Sequence, residues 1–194
     1  MRDQAIIDNL ERVWQSIDTL CSTFTERDWK LPTDCPGWSV QDNVAHIIDF
    51  ESRFLARPVP AHTPADLSHV KNDLGKRNEI WVDHCRAWSG SAVLDAYREV
   101  IAERLSVLGA MGDADFAAPS PVSSRPATMR DHLQRRINDC WAHEQDIRRA
   151  VDRPGHFVGP VVEHVLGRLT SAIADVVGKR VGASAGTTVV FHLT

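Results

Sequence analysis

The run Asp139-Cys140-Trp141-Ala142-His143 lies in a segment that reads as helix from Thr128 to about Val151, and what it demands of the rest of the chain decides the fold. Asp139 and His143 stand four residues apart, so on a helix both side chains leave one face with Cβ atoms about 5–6 Å apart. One small cation could accept both. The same spacing also suits a solvated Asp–His pair on a helix surface, worth about a few tenths of a kcal/mol. An aspartate on the inner side of a helix is costly to bury unless it is paired or bound to a cation. The metal reading needs a third donor from a second helix, and so a bundle that sets two helices face to face around an open site.

Periodicity supplies that bundle. Ile6, Leu10, Val13, Ile17, Leu20 and Phe24 recur at steps of three and four, which predicts an amphipathic helix from Asp3 to about Thr25. Two prolines and a glycine make Leu31–Gly37 a loop. Ser39, with Asp42 three residues on, forms a capping box for a second helix to about Arg57 that turns Val40, Val44 and Ile47 inward. A proline-rich connection leads to a third helix from about Ser68 to Trp88, with Leu74, Trp81, Cys85 and Trp88 inward. A fourth covers Ala92 to about Met111, and Asp113–Pro126 reads as loop. Thr128 and Asp131 cap the fifth helix, which Arg153-Pro154-Gly155 stops, and a last one spans Pro160 to about Lys179. After a flexible hinge at Gly182–Gly186, Thr187–Leu193 reads as a β-strand that either pairs with another copy or begins a further domain. The expected class is mainly α, a four-helix bundle with additional helices and one C-terminal strand. Its bundle domain occupies 1–180, with hinge and strand at 181–194.

Composition narrows the function. A net charge of −4 and a pI near 6.1 argue against a general nucleic-acid binder. No run of eighteen apolar residues predicts a membrane span, and the first residues enter an amphipathic pattern instead of a signal-peptide core. The cytoplasm is the expected location. Cys21, Cys35, Cys85 and Cys140 form no C-x-x-C pair and are expected to be reduced.

His46 is the candidate third donor. It sits between Val44 and Ile47, so part of its ring faces the core; a lone histidine there is also compatible with a satisfied core residue. Two imidazoles and one carboxylate suit Zn²⁺, with Fe²⁺, Mn²⁺ and Ni²⁺ as alternatives. Cys140 is a rival ligand, but on a helix it turns about 100° from Asp139. His62, His69, His84, His132, His156, His164 and His192 lack a second donor at ligand spacing. No Ser/His/Asp order and no phosphate loop is present, so the residues offer no protein nucleophile.

Cys35-Pro36-Gly37-Trp38-Ser39-Val40, followed by Asp42 and Ala45-His46-Ile47, resembles the opening motif of the mycothiol-dependent maleylpyruvate isomerase family. Asp139 through Ala150 resembles its second motif. The resemblance covers about residues 3–180 and implies a DinB-like bundle holding a divalent metal, usually zinc. The family triad of one histidine plus Glu-x-x-x-His falls on His46, Asp139 and His143, with aspartate where the best-known members carry glutamate. Asp146, a heptad after Asp139, is either an orienting partner for a ligand or half of an ion pair. Arg148 and Arg149 either meet an anionic substrate or favour the helix C-terminus, and the second is the expected role. The implied function is a thiol transferase or isomerase. A metal-activated low-molecular-weight thiol, mycothiol by the resemblance, adds to a small electrophile. The alternative is a non-catalytic metal-binding module with a binding or regulatory role. Relatives often carry a sterol-carrier-like domain after the bundle, which the terminal strand would begin.

Overall fold

The apolar stripe of the first segment forms α1 (Asp3–Cys21), with Ile6, Leu10, Val13 and Ile17 fully buried. The helix stops before Thr25 because Ser22 and Thr23 hydroxyls donate to the Asp18 and Leu20 carbonyls and close its last turn. Thr25 then caps a separate single turn, α2 (Glu26–Trp29). The computed structural model describes residues 3–122, 126–184 and 186–192.

Ser39 and Asp42 form the expected capping box at the head of α3 (Val40–Phe54). Every residue from Val40 to Asp49 is buried, so α3 is covered all round. The third expected helix is shorter than its pattern suggested. The Asp66 carboxylate takes both the backbone N–H and the hydroxyl of Ser68, making a turn there. Asn72 then caps α4 (Asp73–Arg86). Leu74, expected inward, is 51% exposed in the first turn, whereas Cys85 is buried. α5 (Gly90–Gly109) follows a Ser89 cap, and α6 (Asp113–Ala117) adds a turn within the expected loop. Thr128 and Asp131 cap α7 (Met129–Ala150) as their spacing predicts. α8 (Pro160–Asp175) ends in a π-turn, Val176–Arg180.

α1 packs on α5 and α7, and α3 packs on the same two, which gives a four-helix bundle with α1 opposite α3. α4 lies along the outer side of α3, while α8 covers α7 and α1. The mainly α, DinB-like class therefore holds. The expected strand does not form over residues 187–192. A strand needs a ladder partner for its backbone groups, and none faces it among the described residues; Val189, Val190 and Phe191 are exposed. Leu193 lies outside the described residues. No described helix is long and apolar enough to cross a membrane.

Candidate metal centre

The loop before α3 shapes one wall of the centre. It folds back through Thr33 N–H to the Trp38 carbonyl and Val40 N–H to the Leu31 carbonyl. Gly37 makes the reversal at φ +80°, and a Cβ there would stand 2.5 Å from the His69 ring. The position thus needs glycine both for backbone hand and for space. His69 Nε2 and Trp38 Nε1 both meet Glu79 Oε1, at 2.9 and 2.5 Å, tying α4 and its leading loop over the site.

His46 projects from α3 and is 4% exposed. Its ring is held by packing, with centroids 5.0 Å from Trp38, 4.9 Å from Phe50 and 4.8 Å from His143. Burial, helped by the neighbouring His143, pushes its pKa down to about 4. The imidazole is therefore neutral and keeps a lone pair. Its Nδ1 has no hydrogen-bond partner among the described residues.

His143 projects from α7 and is anchored from α3. Its Nδ1 lies 2.7 Å from Asn43 Oδ1. The Asn43 amide donates both its hydrogens, to Thr33 Oγ1 and to the Ser39 carbonyl, so its oxygen must face the ring. Nδ1 then carries the proton and Nε2 keeps its lone pair, the orientation that hydrogen bonds commonly impose on metal-binding histidines. Asp139 completes the group. Its Oδ2 is 3.6 Å from His46 Nε2 and its Oδ1 is 3.9 Å from His143 Nε2. Burial pushes its carboxyl pKa up, but Arg136 and the two histidines hold it well below the usual carboxylate range.

The structure thus brings the three sequence-nominated residues together. One donor atom from each lies within 4.8 Å of the others, near enough that small side-chain shifts would bring all three to bonds of about 2.0–2.2 Å with a single ion. The donors sit in the wall of an open cavity of about 450 Å³ that also includes Trp38, Phe50 and Leu74. Cys140 is not part of the group; it is fully buried and accepts from Arg136 Nη2 at 3.3 Å.

Asp146 stands beside His143, with Oδ2 3.5 Å from Nδ1, but Asn43 makes the shorter bond. Asp146 instead accepts from the Cys35 thiol at 3.2 Å and pairs with Arg149. Cys35, His143 and Asp146 form a second donor group, though burial and the Asp146 carboxylate raise the Cys35 thiol to about 12. All four cysteines are free. Arg148 and Arg149 lie in the last turn of α7, where Arg148 pairs with Glu144 and Arg149 with Asp34 and Asp146.

Sequence reasoning missed Asn43 as part of this region, and missed the bond from Cys35 to Asp146. Nothing local in the sequence singles out Asn43, one helical turn before His46, because Gln41, Asp42, Asp49 and Glu51 share its helix. Four of the other histidines bond elsewhere. His62 pairs with Asp83, His132 with Ser120, His156 with Glu144 and His164 with the Gln134 carbonyl.

No curated protein and no solved structure matches the chain significantly. The mycothiol maleylpyruvate isomerase N-terminal domain family matches over residues 10–148, a stretch that runs from α1 through the whole donor triad. With most of the chain covered, the protein belongs to the mycothiol maleylpyruvate isomerase N-terminal domain family.

Proposed function

We propose that this protein is a metal-dependent thiol transferase or isomerase whose centre is His46, Asp139 and His143. The observation that carries the reading is the convergence of two imidazoles and one carboxylate in the wall of an open cavity. The donor set suits zinc. A divalent cation held by these three residues supplies Lewis acidity, which lowers the pKa of a thiol bound beside it.

The protein's own groups do the rest. Asn43 keeps the proton on His143 Nδ1, leaving Nε2 free for the centre. Trp38, Phe50 and Leu74 give the cavity an apolar surface on which the carbon skeleton of a small electrophile packs. Cys35, held protonated by burial and by Asp146, does not compete as a nucleophile. The thiol is therefore carried in from outside, and mycothiol is the one the family points to. The non-catalytic alternative would be supported by a closed shell with a fourth protein ligand. Cys140, the nearest such candidate in the sequence, is turned into the core.

The test is elemental analysis of the purified protein and of His46→Ala and His143→Ala, followed by thiol assays. One equivalent of metal in the parent, lost in both variants, supports the triad, and metal retained in either rejects it. Mycothiol-dependent consumption of a small α,β-unsaturated carbonyl compound should stop when the metal is chelated. Consumption unchanged by chelation rejects the mechanism.

A further inference from the structure

The cavity that holds the three donors also holds an imidazole with no part in binding a cation. His69, in the loop before α4, and Glu79, on that helix, both line it. His69 Nε2 lies 2.9 Å from Glu79 Oε1. The same oxygen accepts from Trp38 Nε1 at 2.5 Å, and Arg86 Nη1 stands 3.3 Å from Oε2. Set among donors, this buried carboxylate accepts from the ring, so the neutral His69 carries its proton on Nε2 and a lone pair on Nδ1. Nδ1 makes no hydrogen bond among the described residues and is not one of the enclosed unpartnered atoms. Asp66 in the same loop and Lys71 in the cavity wall also stand near the ring.

A loop that needed only to be tied to α4 would be served by an amide. The imidazole adds a nitrogen that can take up and return a proton near neutrality, and the carboxylate behind it fixes which nitrogen that is. Trp38 relates the pair to the centre. Its Nε1 shares Glu79 Oε1 with His69, and its ring centroid lies 5.0 Å from His46 and 5.9 Å from His143. In a cavity of about 450 Å³, a ligand seated at the donors comes within reach of His69 directly or through one water.

We propose that His69 is the general base and then the general acid of a thiol addition, with Glu79 as the positioning residue that keeps its Nδ1 free. The proposal rests on the metal and thiol reading of His46, Asp139 and His143. The S–H bond breaks, its proton passing to Nδ1 and its electron pair staying on sulfur. A C–S bond forms at the β-carbon of an α,β-unsaturated carbonyl compound, and the C=C pair moves into an enolate. Nδ1–H then returns the proton to the α-carbon. The thiol has added across the double bond and His69 ends as it began. Isomerisation, which expels the thiol from the enolate, needs no proton at carbon, so the pair points to transfer.

The test uses the full zinc-loaded chain. With ¹⁵N-labelled histidine, NMR should show His69 as the Nε2–H tautomer, its signals assigned by their absence from His69→Gln. Mycothiol alone should raise the pH at which the ring takes its second proton by about one unit or more, because the sulfur anion lies beside it. A midpoint unmoved by bound thiol overturns the proposal. In addition of mycothiol to methyl vinyl ketone, His69→Gln keeps an N–H for Glu79 but cannot carry the proton, so turnover should fall by about 100-fold or more at unchanged zinc content. Added imidazole should restore part of the rate to His69→Ala. Parent-like turnover in His69→Gln overturns the role of His69 and leaves the metal centre standing. A parent that takes up no zinc or no thiol overturns the reading beneath, and the role of His69 with it.

Discussion

Asn43 settles which nitrogen of His143 faces the cavity, because both of its amide hydrogens are already spent on Thr33 and Ser39. Asn43→Ala removes the acceptor for His143 Nδ1–H and should lower metal affinity by about 10–100-fold, the usual consequence of losing a ligand's orienting bond. Chelator competition reads this directly. No sequence pattern identifies this residue, since an asparagine in a helix is ordinarily solvated, and its role appears only once residues 31–40 fold back against it. Gly37 is the opposite case. It was visible as part of a motif, and the structure supplies the cause: φ +80° and a His69 ring 2.5 Å from where Cβ would lie. Gly37→Ala should destabilise the fold by about 1–3 kcal/mol, seen as a lower urea midpoint at an unchanged slope.

At the scale of elements, α3 bears most of the site, and its register is set at the Ser39 cap. Ser39 Oγ accepts from Asp42 N–H at 3.3 Å, and the Asp42 carboxylate accepts from Ser39 N–H at 2.8 Å. Ser39→Ala leaves the first turn with an unpaired donor and should cost about 1 kcal/mol of stability in thermal or urea unfolding. Asp42 also holds Arg86 of α4 at 3.1 Å, so Asp42→Ala should cost more than Ser39→Ala. The capping boxes at Ser39 and Thr128 were readable because they are local: two residues at fixed spacing close their own hydrogen bonds. The start of α4 was not. Ser68 has the look of a cap, but Asp66 two residues earlier captures it, and Asn72 takes the role instead. The choice between two nearby cap residues depends on the path of the preceding loop over the cavity, which the sequence pattern does not contain. For the same reason Leu74, apolar and in phase, stands at the cavity mouth instead of in the core.

For the whole molecule, the stripes of α1 and α3 disclosed a bundle, whereas which helix lies opposite which is fixed by long-range packing that periodicity does not encode. The terminal segment has the β-branched pattern of a strand, but none forms over residues 187–192, where no partner among the described residues meets it. One global property follows from how the bundle buries its histidines. Burial lowers the pKa of His132, reinforced by Arg136 and Arg135 and opposed by Glu51, and burial likewise lowers that of His164. His46 shifts the same way. Each of these groups takes its proton in the unfolded chain at about pH 6.5 and resists it in the fold. The unfolded state therefore binds more protons as pH falls through that value, and stability is lost in acid. Asp49 works in the other direction. Burial raises its carboxyl to about 6 despite Arg53, so its folded form holds a proton that the unfolded chain has released, and it favours the fold as pH falls toward about 4. With three histidines against one aspartate, urea unfolding of the metal-free protein should show lower stability at pH 5.5 than at pH 7.5. His132→Gln should shrink that difference, while Asp49→Asn, by removing the opposing group, should enlarge it. A stability equal at both pH values in the parent would mean that these rings are open to water in solution, and the packing of α7 against α3 and α8 would need revision.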